Sequence, residues 1–167
     1  MRLYADTSEK FIQDTVQNQI SEKLRLAFFH QFRYQPAQSE INSWRNSLRC
    51  MCQVIEYAKL LYHGIILEYQ LPLSSRRLDC LICGRDSEGR DNAVVVELKQ
   101  WQDCQPTESD KLLTFVGGGN REVLHPSVQV HQYKEYLRDV HTAFYDGDTP
   151  ISLDKHKGTS TKGRSPN

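Results

Sequence analysis

The sequence predicts an α/β fold: helices first, a three-stranded β-meander in the middle, and a helix returning after it. Three observations predict it. Apolar residues recur every three or four positions over residues 7–32 and again over 39–58, which is the helical period. Between residues 64 and 101, three apolar and β-branched runs are separated by short polar turns. From Pro126 the apolar spacing returns to the helical period. A chain of 167 residues suffices for one domain with a sizeable core. Its 38% hydrophobic and 25% charged residues are ordinary for a globular protein.

Taken in order, the first helix buries Phe11 or Ile12, Val16, Ile20, Leu24, Phe28 and Phe32. Pro36 and the polar run Gln35–Ser39 break it, and Ser39 is the expected N-cap of a second helix. That helix carries the stripe Ile41, Trp44, Leu48, Met51, Ile55 and Ala58. A break at His63–Gly64 leads into GIILEYQLPL, a strand ended by Pro72. SRRLDCLICGR is the second strand, DSEGRDN its polar turn, and AVVVELKQW the third strand. Residues 102–125 are expected to be irregular, with a Gly117–Gly119 triplet. Pro126 and Ser127 open a third helix that buries Val130, Tyr133, Leu137, Val140 and Phe144. Beyond it the composition turns to Gly, Ser, Thr, Pro and Lys. The expected organisation is therefore a folded domain over 1–147 and a disordered polar tail over 148–167.

Lys plus Arg number 21 and Asp plus Glu number 21, so the formal net charge is zero. That argues against a polybasic binder whose affinity rests on neutralising many phosphates. No run of 18 apolar residues exists, and MRLYADTSEKF lacks the apolar stretch of a secretion signal, so a cytoplasmic protein is expected and no membrane partner. Five cysteines in such a chain imply reduced thiols. Cys80 and Cys83, three apart in a strand, point to opposite faces. Cys50 and Cys52 diverge by about 200° on a helix. Neither pair is expected to chelate a metal.

The chemistry-bearing residues lie in the meander. Side chains two apart in a strand share a face, so Glu97 and Lys99 project together from an otherwise apolar run. Asp79 interrupts the run Leu78–Cys83 on the preceding strand in the same way. Burying such charges is costly unless they pair or meet a metal. Two carboxylates on neighbouring strands can share one divalent cation, with the Leu98 carbonyl or water completing the shell, and oxygen ligands of this kind suit Mg²⁺ or Mn²⁺. Lys99 would then orient the attacking water. The competing reading is structural: Asp79 paired with Arg76 or Arg77, and Glu97 with Lys99 or Arg121.

The order Asp79 … Glu97-Leu98-Lys99, followed by a helix carrying Gln129-x-x-x-Tyr133, resembles the PD-(D/E)xK nuclease superfamily in its RecB-like exonuclease branch. The chain is more similar still to the N-terminal nuclease-like region of bacterial Schlafen-like DNA/RNA helicase proteins. The likeness runs through Ser43-Trp44-Arg45-Asn46-Ser47-Leu48, Glu68–Pro72, Ser75–Asp79, Glu97–Trp101, Gly117–Val123 and His125–Gln129. It implies a restriction-endonuclease-like core acting on DNA or RNA, with Asp79 and Glu97 as metal ligands and Lys99 beside the nucleophile. Gln129 and Tyr133, one helical turn apart, would face the metal. An upstream acid usually completes such a site, and Glu40 is favoured over Glu68. Glu68, Arg77, Gly118 and Arg121 are candidate substrate contacts, and Trp101 is a candidate base-stacking residue that more simply packs in the core. The core strand that the resemblance places after the last helix is expected to be missing. That leaves an open sheet edge, hence an expectation of self-association or of a helicase partner. No GxxxxGK[ST] motif is present, so the Gly117–Gly119 segment is not expected to be a nucleotide-binding loop, and the helicase motor normally fused to such a region is expected to be absent. The alternative function is an inactive nucleic-acid-binding module, or a truncated structural fragment of a larger helicase-nuclease.

Overall fold

A short strand, β1 (Tyr4–Thr7), precedes the first helix. The structure is a computed structural model that describes residues 1–101, 103–145 and 152–155. The single helix expected over 7–32 is two, α1 (Ser8–Val16) and α2 (Ile20–Phe32). The Thr7 side chain caps α1 by accepting from the Lys10 amide at 3.2 Å. Asn18, at φ 57°, turns the chain through the left-handed region that Asn tolerates. This corner leaves Val16 in solvent, contrary to the periodicity reading, while Phe11, Ile20, Leu24 and Phe28 are buried as expected.

Helix α3 (Gln38–Tyr57) starts one residue before Ser39, with Ala37 at its N-cap. It buries Trp44, Leu48, Met51 and Ile55, whereas Ala58 is its exposed C-cap. The meander follows as β2 (Gly64–Gln70), β3 (Arg77–Arg85) and β4 (Asp91–Val96). β4 ends earlier than expected, so Glu97 and Lys99 lie just past the strand.

Residues 102–125, expected to be irregular, instead contain a second sheet: β5 (Cys104–Pro106), β6 (Lys111–Val116) and β7 (Gly119–Leu124). Val116 pairs with Gly119 across a two-residue turn whose Gly117 and Gly118 have φ of 61° and 83°. Positive φ at both central positions matches the twist of a tight hairpin, and glycine adopts it without strain. Two glycines between apolar runs are the hairpin signal that could have located this sheet from the sequence.

Helix α4 (Pro126–Val140) is capped by the His125 ring, which accepts from the Ser127 amide at 3.1 Å. The expected stripe divides here, because Phe144 belongs to a separate short helix, α5 (Thr142–Tyr145). A strand follows the last helix, where none was expected. β8 (Ser152–Lys155) runs parallel to β4, with Ala93 opposite Leu153 and Val94 opposite Asp154. It arises within the segment read as a tail, and the rest of 148–167 lies outside the described residues.

The main sheet has the order β1-β2-β3-β4-β8, antiparallel throughout except for β8. One face carries Ile65, Leu67, Cys80, Ile82 and Val96 into a core shared with Phe11, Leu24, Trp44 and Ile55 of the first three helices. The other carries Leu78, Leu81, Ala93 and Val95 against Val130, Tyr133, Leu137 and Phe144. The arrangement is three layers, helix on sheet on helix. Cys80 and Cys83 fall in the two different cores, and all five cysteines are free thiols. No helix among the described residues is long and apolar enough to cross a membrane.

Candidate functional site

Alternation along β2 breaks at one residue. Ile65 and Leu67 face α3, and Ile66 faces the opposite core. Strict alternation would send Glu68 the way of Ile66. Glu68 instead has φ 52°, lines a cavity on the α3 side, and is followed by Tyr69 packed into the opposite core. β3 slips in step: Leu78 enters the α4 core and Cys80 the α3 core. Pairing continues without insertion on either side, Leu67 opposite Cys80 and Tyr69 opposite Leu78. Glu68 and Asp79 therefore occupy facing positions at a matched kink, and both line the same cavity. A non-glycine residue held at positive φ within a strand costs of order 1–3 kcal/mol, and such strain gathers at functional sites.

The cavity, of about 480 Å³, opens between α3 and the sheet and is lined by Glu40, Trp44, Glu68, Arg77, Asp79 and Leu98 among others. Arg77 ties its acids together, pairing with Glu40 at 2.5 Å and Glu68 at 3.3 Å. The Trp44 indole donates to Glu68 at 2.8 Å. Burial pushes the Glu68 carboxyl up to about 7, against the pull of Arg77.

Asp79 and Glu97 meet where β3 and the end of β4 adjoin. The Leu98 amide donates to Asp79 Oδ2 at 2.7 Å, so the backbone turn after β4 is built around this carboxylate. Glu97 Oε1 accepts from Lys99 Nζ at 2.6 Å and from the Gln129 amide at 2.5 Å. Gln129 also donates to the Tyr133 hydroxyl at 2.8 Å, and Tyr133 donates onward to the Arg77 carbonyl at 3.2 Å. The second Glu97 oxygen, Oε2, is buried without a hydrogen-bond partner. Burial, reinforced by the charge of Asp79, pushes the Glu97 carboxyl up to about 7 despite Lys99 and Gln129. Burial likewise holds Asp79 above the usual carboxylate range, although the Leu98 amide and the Lys99 and Arg77 charges oppose it.

The structure thus brings together Asp79, Glu97, Lys99, Gln129 and Tyr133, and sets Glu40, Glu68 and Arg77 in the adjoining cavity. Of the two pairings weighed for Glu97 in the competing structural reading, the one with Lys99 forms, at 2.6 Å. Asp79 takes neither Arg76 nor Arg77 as an ion-pair partner among the described residues, because Arg77 is committed to the two glutamates. Gly118 and Arg121 lie on the β6–β7 hairpin. Trp101 lies beneath Lys99, whose ammonium is 5.7 Å from the ring centroid. His131 is exposed on α4. Among residues the sequence reading did not assign to the site, Gln100 donates to the Ser43 carbonyl at 2.7 Å and the Ser47 hydroxyl at 2.6 Å. That fastens the segment after Lys99 to α3. Ser43 and Ser47, one helical turn apart, were the available signal.

Oxygen donors of two carboxylates, one with a free buried lone pair, suit a hard cation that keeps most of its waters, as Mg²⁺ does. No group of three or more His, Cys, Asp or Glu side chains placed to hold a metal occurs among the described residues. Comparison with known proteins returns no matching family model, no matching curated protein and no matching solved structure.

Proposed function

We propose that the chain is a Mg²⁺- or Mn²⁺-dependent phosphodiesterase acting on DNA or RNA. More particularly, we infer a nuclease of the PD-(D/E)xK class, akin to the nuclease-like region of Schlafen-like helicase proteins. The observation that carries this reading is Glu97 Oε2, a buried carboxylate oxygen left without a partner beside a second buried carboxylate. Leaving such an atom without a partner costs about 1–3 kcal/mol or more, so it calls for an occupant: a cation, or the proton that the raised Glu97 carboxyl shares in a hydrogen bond with Asp79. The helices, meander, returning helix and following strand also agree in order with the core that the sequence resemblance implies.

In this reading Asp79 and Glu97 hold the cation, which supplies Lewis-acid polarisation of a phosphoryl oxygen. The Leu98 amide fixes the Asp79 rotamer, and Gln129 fixes Glu97. Lys99, bonded to Glu97 Oε1, would stand beside the cation and be available to orient the attacking water. Tyr133 holds Gln129 in place from the next turn of α4. Glu40 and Glu68 flank the site in the cavity, with Arg77 between them. A helicase motor is the natural partner in this reading.

A second reading, a nucleic-acid-binding module without turnover, has one observation in its favour. Arg77 pairs with both Glu40 and Glu68, so neither upstream acid is free to join Asp79 and Glu97. Circular and linear DNA and RNA incubated with Mn²⁺ or EDTA separate the two readings. Mn²⁺-dependent cleavage that Asp79→Asn abolishes supports the enzyme. Calorimetry showing equal Mn²⁺ binding by wild type and Asp79→Asn removes the proposed centre.

A further inference from the structure

We propose that the tip of the β6–β7 hairpin, Phe115 to Arg121, is a contact for single-stranded nucleic acid. Phe115 stacks on an unpaired base and Arg121 engages the backbone phosphate beside it. The proposal rests on the nuclease reading and extends it to the form of the substrate.

Four observations carry it. The small sheet is inserted between Lys99 and Gln129, both at the candidate centre, so its base is tied to the site from both ends. At its tip Phe115 is 67% and Val116 37% exposed. The stretch 115–121 contains one cation and no carboxylate, the hairpin's acids Asp110 and Glu122 lying nearer its base. Arg121 has no carboxylate partner among the described residues, whereas Lys111 is paired with Glu122.

The turn is also pre-shaped. Gly117 and Gly118 hold it at positive φ, and the Arg121 guanidinium lies beside Gly117, 3.5 Å from where a Cβ would stand. Phe115 faces Asn120 across the ladder and Arg121 faces Thr114, so the two side chains leave opposite faces of the ribbon. A single strand passing over the end of the ribbon meets both. A duplex offers Phe115 nothing, because its base faces are closed by stacking. Aromatic stacking tolerates any base, since every base has a π-face. The expected preference is therefore for unpaired strands rather than for a sequence.

The test is fluorescence anisotropy of the full chain with a labelled single-stranded oligonucleotide of mixed sequence, in EDTA so that cleavage cannot intervene. Phe115→Ala should weaken binding roughly tenfold or more, and Phe115→Trp should restore it. Arg121→Gln should reduce the slope of log affinity against log salt by about 0.7, the loss of one phosphate contact on a single strand. Mn²⁺ binding measured by calorimetry should be unchanged in all three variants. Equal affinity of wild type and Phe115→Ala, or equal affinity for duplex and single strand, overturns the hairpin contact while Mn²⁺-dependent cleavage keeps the nuclease reading. Concentration-dependent sedimentation that Phe115→Ala abolishes also overturns it, because the tip is then a protein interface. Absence of any oligonucleotide binding by wild type overturns it as well, and cleavage then decides the nuclease reading separately.

Discussion

Glu97 presents its two oxygens to unlike surroundings. Oε1 is saturated by Lys99 and Gln129, while Oε2 is buried and unmatched. With Asp79 beside it, the folded protein without metal stores unfavourable charge, and the raised carboxyls of Asp79, Glu97 and Glu68 express it. A carboxyl whose folded pKa is raised makes the fold most stable below its unfolded pKa, and that stability is lost as pH climbs through the folded value. For Glu97 and Glu68 the window runs from about 4 to about 7. Thermal melting in EDTA should therefore show the wild type losing stability between pH 5 and pH 8. Asp79→Asn keeps an acceptor for the Leu98 amide without the charge. It should melt higher than wild type at pH 8 in EDTA, and lower than wild type once Mn²⁺ is added. A variant that melts lower in both conditions would show Asp79 to be a structural carboxylate. Lys99→Ala should act differently, because in the proposed reading Lys99 would serve the nucleophile and not the cation. It should abolish cleavage while Mn²⁺ binding survives in calorimetry, and a collapsed melting transition would instead favour a structural ion pair.

At the level of elements, the helical and strand periods were legible wherever one face met the core. The stripes of α3 and α4 show this, for Trp44, Leu48, Met51 and Ile55 are buried as spaced, as are Val130, Tyr133 and Leu137. Periodicity failed where the backbone leaves its regular path. Nothing in Leu67-Glu68-Tyr69 signals a positive φ at Glu68, so alternation sent that carboxylate to the wrong face. The α1–α2 corner at Asn18 was hidden in the same way, because Ile12, Val16, Ile20 and Leu24 keep one helical rhythm across it. What holds that corner is Asp14, whose side chain is fully buried. It accepts from Tyr4 at 3.1 Å and Lys23 at 2.6 Å, and Lys10 lies 3.2 Å from its other oxygen. Burial opposes its ionisation, but the Lys23, Lys10 and Tyr4 bonds prevail and hold the carboxyl below its usual range. Its contribution is thus present above the unfolded pKa and lost as pH falls through the folded one, the opposite sign to the centre. Asp14→Asn should cost about 1–3 kcal/mol at pH 7 in urea unfolding, the scale of bonds to charged groups. The cost should shrink steadily below pH 4, and a pH-independent cost would mean that packing rather than charge dominates.

For the whole molecule, the decisive element is the strand that composition concealed. SLDK is short, carries two charges and sits among Gly, Ser, Thr and Lys, so neither period nor hydrophobicity marks it. Its place is set by the sheet: β4 has β3 on one side, and β8 supplies hydrogen bonds along the other from Asn92 to Val95. Ala93 and Val95 face α4, which itself lies against β8, so β8 closes the edge beneath the helix that presents Gln129 to Glu97. A chain ended at residue 147 would leave the β4 edge with unpaired N–H and C=O groups, the state that recruits another chain. That truncation should lose about 2 kcal/mol or more, the net worth of a few backbone bonds, and should self-associate in sedimentation. It should also weaken Mn²⁺ binding, because α4 loses its support and Gln129 its fixed approach to Glu97. Ending the chain at residue 156 instead should leave melting, sedimentation and Mn²⁺ binding as in the full chain. If both truncations behave like the full chain, β8 contributes no closure to the sheet, and α4 is held by its apolar contacts alone.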